Sequence, residues 1–194
     1  MKKKVALTLF LCVVWLLTAD AQNTVESIRK EYQNVHEWIA QMMPDEEGIS
    51  AWPPDYFDLH VVQNLPATGP HHENIRMFYG ELEPEEEGDP YPPHYLRFVT
   101  AKYNFAAREF YEEYLYDNKG QVMFIFCKTP DVNDDMTPCE LRMWFDGKRL
   151  LRFKADTNTM TTIPEKYSGE TDRCKQRAQR FLEMFKGIDD NTYL

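Results

Sequence analysis

Hydrophobic and polar positions alternate with two different periods along this chain, and each change of period marks an element. Across residues 23–43, Val25, Ile28, Tyr32, Val35, Ile39 and Met42 recur at spacings of three and four, laying one apolar stripe along a helix. Asn23 is placed to cap its start, with Glu26 reaching back, and Pro44 and Gly48 end it. His36 and Trp38 fall off the stripe, so His36 reads as solvated. Near the other end, Cys174, Ala178, Phe181, Leu182 and Phe185 mark a second helix over 170–186, capped by Ser168 and closed by Gly187. Asp189 and Asp190 beyond it read as a frayed tail.

Between the helices the period falls to two. Residues 108–116 turn at Asp117-Asn-Lys-Gly120 and return through 121–127; residues 140–145 turn at Asp146-Gly147 and return through 148–154. Asp-Gly between alternating segments is a strong short-range hairpin signal, and Gly120 supplies the positive φ of the first turn. Residues 121–127 are apolar on both faces, with Met123, Ile125 and Cys127 on one and Val122, Phe124 and Phe126 on the other. Such a strand belongs in mid-sheet, buried on both sides. Pairing Cys127 with Cys139 sets Ile125 opposite Leu141 and Met123 opposite Met143, so the register that joins the sulfurs also joins the apolar side chains. A Cys127–Cys139 disulfide is therefore expected.

Further strands read at 56–63, 74–81 and 95–103. Residues 44–93 hold nine of the 12 prolines and read as loop-rich. Within them, Trp52-Pro-Pro-Asp-Tyr56 and Tyr91-Pro-Pro-His-Tyr95 are near-copies that read as extended entries into strands rather than as WW-domain ligands. The acidic run at 81–89 reads as a solvated loop. The expected fold is α+β: one twisted antiparallel meander of about seven strands, with the N- and C-terminal helices packed on the same face.

The first 21 residues follow another pattern. Met1-Lys-Lys-Lys4, an apolar core over 5–18 and Ala19-Asp-Ala21 read as a signal peptide with a small-x-small cleavage site. The core is short beside the roughly 20 residues of a spanning helix. Residues 22–194 then form a single exported domain, periplasmic or extracellular. Losing the leader removes three Lys and one Asp, taking the net charge from −10 to −12. That balance excludes a nucleic-acid binder or an anionic-membrane binder as the first reading. Three cysteines remain, and Cys174 reads as a buried thiol on a helix face.

Few of the usual reaction signatures occur. Asp131-Val-Asn-Asp-Asp135 opens like a calcium loop, but Met136 and Arg142 stand where an EF-hand needs Gly and Glu. His71, His72 and His94 lack the spacing of a zinc site. No Gly-x-Ser-x-Gly or phosphate-cradling loop is present, and no motif calls for a cofactor. Paired carboxylates remain: Glu109 and Glu113 share one side of their strand and Glu112 takes the other. Tyr111, Tyr114, Tyr116 and Trp144 crowd the hairpins, where an open sheet face would stack them on a ligand and a covering helix would bury them.

The run Tyr114-Leu-Tyr-Asp-Asn-Lys-Gly-Gln-Val-Met-Phe-Ile-Phe126, followed by Leu141-Arg-Met-Trp-Phe-Asp-Gly-Lys-Arg-Leu-Leu-Arg-Phe153, resembles the hairpins of a loose group of small secreted bacterial proteins. Ile28-Arg-Lys-Glu-Tyr32 matches the Ile-Arg-x-x-Tyr pattern of their N-terminal helix. The resemblance implies export and fold, and no activity. The functional expectation is a non-catalytic exported protein that binds a peptide, glycan or protein; the alternative is a small carboxylate-dependent, glycosidase-like hydrolase.

Overall fold

A computed structural model describes residues 23–42, 55–84, 92–130 and 138–192. The expected leader, the Trp52-Pro-Pro54 stretch, most of the acidic run and the Asp131–Asp135 segment lie outside these residues. The protein is α+β. Helix α1 (Val25–Met42) precedes eight strands: β1 (Tyr56–Leu65), β2 (Gly69–Glu81), β3 (His94–Phe105), β4 (Arg108–Tyr116), β5 (Val122–Thr129), β6 (Cys139–Asp146), β7 (Arg149–Ala155) and β8 (Asn158–Met160). A short 3₁₀ turn (Glu165–Tyr167) leads into helix α2 (Ser168–Thr192). The strands lie in sequence order in one open antiparallel sheet. Strand β8, absent from the sequence expectation, adds three residues within the Thr-rich stretch after β7.

The two helices take opposite faces of the sheet, not the same one. Cys174, Ala178, Phe181 and Phe185 of α2 pack with Ile75, Met77, Val99, Tyr114, Ile125, Leu141, Met143 and Phe153. Val25, Ile28 and Val35 of α1 pack with Phe78, Phe98, Leu115, Phe124 and Trp144. A central strand that is apolar on both sides needs cover on both, and each helix supplies one layer.

Helix α1 runs across the strands. The Asn23 backbone N–H donates to Asp146 Oδ1 at the end of β6, 3.3 Å away, while Trp38 meets Phe78 of β2 with ring centroids 6.3 Å apart. Fifteen helical rises cover about 22 Å, which matches the roughly 19 Å spanned by four strand spacings. The helix is capped by Thr24 rather than Asn23. Ser27 N–H donates to Thr24 Oγ1 (3.1 Å) and Thr24 N–H donates to Ser27 Oγ (2.9 Å), a reciprocal box one residue further on. Gly187 does not end α2, which runs on to Thr192. Asp189 is held rather than frayed, with Oδ1 2.8 Å from His94 Nδ1.

One row of side chains, Phe78–Phe98–Leu115–Phe124–Trp144, lies beneath α1 on β2 to β6. Directly beside it the register shifts three times, at Phe78/Tyr79, Leu115/Tyr116 and Trp144/Phe145. The unpaired extra residues are Arg97, Met123 and Leu151, one on each of β3, β5 and β7. Met123 and Leu151 join the α1-side core, whereas Leu96, Val122 and Leu150 turn to the α2 side. This corrects the strict alternation expected of β5: the bulge puts Met123 with Phe124, and Val122 with Ile125.

The register also corrects the expected disulfide. Cys127 sits opposite Leu141 and Cys139 opposite Thr129, two residues from the pairing that would join them. Diagonal partners of this kind are about 7–8 Å apart, and all three described cysteines are free thiols. The slip by two keeps every side chain on its face, so apolar pairing alone did not distinguish the registers. The Pro130–Pro138 connection is long enough for either.

Candidate functional site

Helix α1 is narrower than the sheet it crosses, so polar rows remain beside it. The row Asp58–Arg76–Thr100–Glu113–Phe126–Arg142–Lys154–Thr159 crosses all eight strands on the α1 face. Next to it runs His60–Asn74–Lys102–Tyr111–Lys128–Glu140. Arg29, Tyr32, His36 and Ile39, spaced by three, four and three residues, line the flank of α1 that overhangs these rows. The result is a groove with two hollows. One, of about 390 Å³, is bounded by Arg29, Tyr32, Glu113, Phe126, Arg142 and Lys154, with Trp144 in its floor. The other, of about 400 Å³, is bounded by His36, Asp58, His60, Arg76, Lys102 and Tyr111.

The first hollow is cationic. Arg29 places its guanidinium 5.4 Å from the Trp144 ring centroid, and Arg142 lies 4.8 Å from that of Phe126. A guanidinium over an aromatic face is attracted by the ring's quadrupole, which narrows its range of positions before any ligand arrives. Arg142 also donates to Glu140 (2.7 Å). Lys154 is the cross-strand neighbour of Arg142, so three cations, Arg29, Arg142 and Lys154, from one helix and two strands line one end of the groove.

Glu113 separates the hollows. The hydroxyl of Tyr111 donates to its Oε1 (2.7 Å) and that of Tyr32 to its Oε2, while His36 Nε2 stands 3.8 Å from Oε2. Burial opposes its ionisation, but His36, Tyr32 and Tyr111 together outweigh burial and hold its pKa below the usual carboxylate range. The same burial and the same carboxylate push the Tyr32 and Tyr111 phenols well up. His36 was expected to be solvated. Its side chain is 42% exposed, and the ring also packs on Tyr32 (centroids 4.3 Å apart) and Phe98 (5.2 Å), because α1 crosses the sheet and presents a second flank to it.

Glu112 enters the opposite layer, fully buried against α2. Its Oε1 accepts from Tyr103 (2.8 Å) and pairs with Arg173 Nη1 (2.8 Å); its Oε2 accepts from Tyr114 (2.6 Å) and Arg177 Nε (2.7 Å). Those four donors use every lone pair of the carboxylate. Burial again opposes its ionisation, and Arg177 and Arg173 overcome it to hold the pKa low. Arg177 also reaches Glu73, and Arg173 reaches Glu170. A Glu112 oxygen and the sulfurs of Cys127 and Cys174 lie within 4.8 Å of one another. A metal ion there would meet two guanidiniums already committed to Glu112, an arrangement unsuited to a cation.

Sequence reasoning set the four aromatic candidates either on an open sheet face or beneath a covering helix; the fold divides them. Tyr114 and Tyr116 are buried under α2, where Tyr116 donates to the Ala178 carbonyl (2.8 Å). Trp144 is buried under α1 in the floor of the first hollow, and Tyr111 borders the second as a half-buried side chain. Arg29, Arg142 and Lys154 went unremarked in the sequence. The signal available for them was the alternation Arg142-Met-Trp144 and Arg152-Phe-Lys154, which sets cations on the face opposite Met143 and Phe153. Glu109 is exposed near the β3–β4 turn, away from Glu113. Among the described residues, no helix is long and apolar enough to cross a membrane. No protein-family model, curated protein or solved structure matches the chain.

Proposed function

We propose that this chain is an exported, non-catalytic binding protein whose ligand is an acidic glycan lying along the groove beside α1. In this reading a carboxylate or sulfate of the ligand sits between Arg29, Arg142 and Lys154. The rest of the chain extends past Tyr32 toward Asn74, Asp58 and His60, side chains suited to sugar hydroxyls. One observation carries the reading: in a chain of net charge −10, guanidiniums already lying over the Trp144 and Phe126 rings line one hollow with Lys154. Planar donors confined in advance favour planar oxyanions and reduce the ordering cost of binding. The leader-like residues 1–21 and the hairpin resemblance support export.

The alternative, a carboxylate-dependent hydrolase, draws less support. Glycoside hydrolysis asks for two carboxyls facing one cleft, the acid of the pair with a raised pKa. Glu112 and Glu113 project to opposite faces of the sheet, and both are held below the usual range by donors that occupy them.

Calorimetric titration of residues 22–194 with uronate and sulfated oligosaccharides, against neutral ones of equal length, tests the proposal. Only the acidic ligands are expected to bind, with affinity falling as salt is raised. Arg142→Ala and Lys154→Ala should each weaken binding by roughly tenfold, about 1.4 kcal/mol. Equal binding of neutral oligosaccharides, or affinity unchanged in both variants, would sink it; so would capture of acidic peptides alone.

A further inference from the structure

The sulfurs of Cys127 and Cys174 face each other between the centre of the sheet and the last helix. Cys127 lies on β5 and Cys174 in the second turn of α2, both fully buried, and their sulfurs are within 4.8 Å of each other. The Arg173 guanidinium spans the pair, with Nη2 3.7 Å from Cys127 Sγ and 3.9 Å from Cys174 Sγ. Cys139 stands apart, with Thr129 as its strand partner; burial and Asp156 push its thiol up to about 11. Three thiols in one domain thus divide into a facing pair and a single.

We propose that Cys127 and Cys174 are a disulfide-forming pair that, when oxidised, staples α2 to the middle of the sheet. Bond formation brings sulfurs that already lie within 4.8 Å of each other to about 2.05 Å. The oxidant is an external disulfide, either a small-molecule or a protein one. One cysteine thiolate attacks it and releases the first thiol, giving a mixed disulfide. The second cysteine then attacks the cysteine sulfur of that mixed disulfide and releases the second thiol. Two electrons pass from the pair to the oxidant, and the two cysteine protons end on the released thiols. Both sulfurs are sealed from solvent in the docked state, and Cys127 is pushed up by its contact with Cys174 and by burial. Exchange therefore belongs to folding, or to moments when α2 has lifted off. The staple adds a covalent tie between the C-terminal element and the sheet. The groove lies on the other face, so this inference stands or falls apart from the glycan reading.

The test is to refold the full chain from its reduced state in a glutathione redox buffer. Free thiols are then blocked, and the protein is digested and mapped without reductant. A peptide linking Cys127 to Cys174 is expected, with Cys139 alkylated. The same link should form in Cys139→Ser and be lost in Cys174→Ser. Reduction should lower the thermal midpoint of the wild type and of Cys139→Ser by about 4–16 °C. Three alkylated cysteines in the refolded wild type would overturn the proposal, as would a link involving Cys139. A link whose reduction leaves the midpoint unmoved would overturn the stapling role.

Discussion

Glu112 gives up all its water to four donors, and each arginine among them divides its charge between Glu112 and a second carboxylate, Glu170 for Arg173 and Glu73 for Arg177. Taking the carboxylate's charge away leaves the network with two guanidiniums and two remaining carboxylates, and it removes the one fully buried anion that both guanidiniums and two phenols share. Glu112→Gln is expected to cost about 3–5 kcal/mol, the range seen when one partner of a buried charge pair is removed, measured by urea unfolding of residues 22–194. Because the folded pKa of both Glu112 and Glu113 is depressed, their contribution is present above the unfolded carboxyl range near about 4.3. It is lost as pH falls through that range toward the folded values. Stability should therefore be level from pH ~7 to ~5 and decline below ~4, more steeply in wild type than in Glu112→Gln. A variant with the wild-type acid slope would show that the dependence arises elsewhere. The alternation of Glu112 and Glu113 across their strand was readable from the residues. Their partners were not, because Arg173, Arg177, Tyr32 and His36 arrive from helices far off in the chain.

At the scale of elements, the stripe on α1 and both hairpin turns could be read because they rest on local geometry. Period, Gly120 at φ 76° and Gly147 at φ 57° act within a few residues. Capping misled by one position, since Asn23 and Thr24 are both able caps and only the first turn decides between them. Thr24→Ala is expected to cost about 1 kcal/mol while Asn23→Ala costs less, a comparison that paired thermal melts resolve. Helix placement was misread although its clue was present. Residues 122–127 are greasy on both faces, which demands a layer on each side, whereas two helices on one face would leave Phe124 and Trp144 in water. Residues 65–73 looked irregular because of Pro66 and Pro70. They instead form a hairpin end, where a proline on an edge pair removes no needed ladder bond.

For the molecule as a whole, net charge proved a poor guide to the groove. A net charge of −10 hides a local gathering of Arg29, Arg142 and Lys154, which the register of β6 and β7 and the crossing of α1 assemble. The order of the strands was legible because consecutive hairpins leave little choice. The register across 130–138 was not, since a slip of two preserves every face. The groove's long axis is likewise a property of eight strands together and of no stretch within them.

Arg97, Met123 and Leu151 recur on every second strand, so the sheet is assembled from two-strand modules, each carrying one surplus residue at the same height. Their alignment forms a crease, and α1 lies in it like a rod in a folded page. Inside and outside exchange at that line, so the chain must count correctly on each module separately. Excising Met123 alone would leave Val122 in the α2 layer and Phe124 in the α1 layer, but it would straighten this module and empty the Met123 site beneath α1 while the neighbouring modules kept their bulges. The expected product is a chain that is still strand-rich by far-ultraviolet circular dichroism but melts at a lower midpoint. A wild-type midpoint in that deletion would mean the crease is ornament rather than architecture.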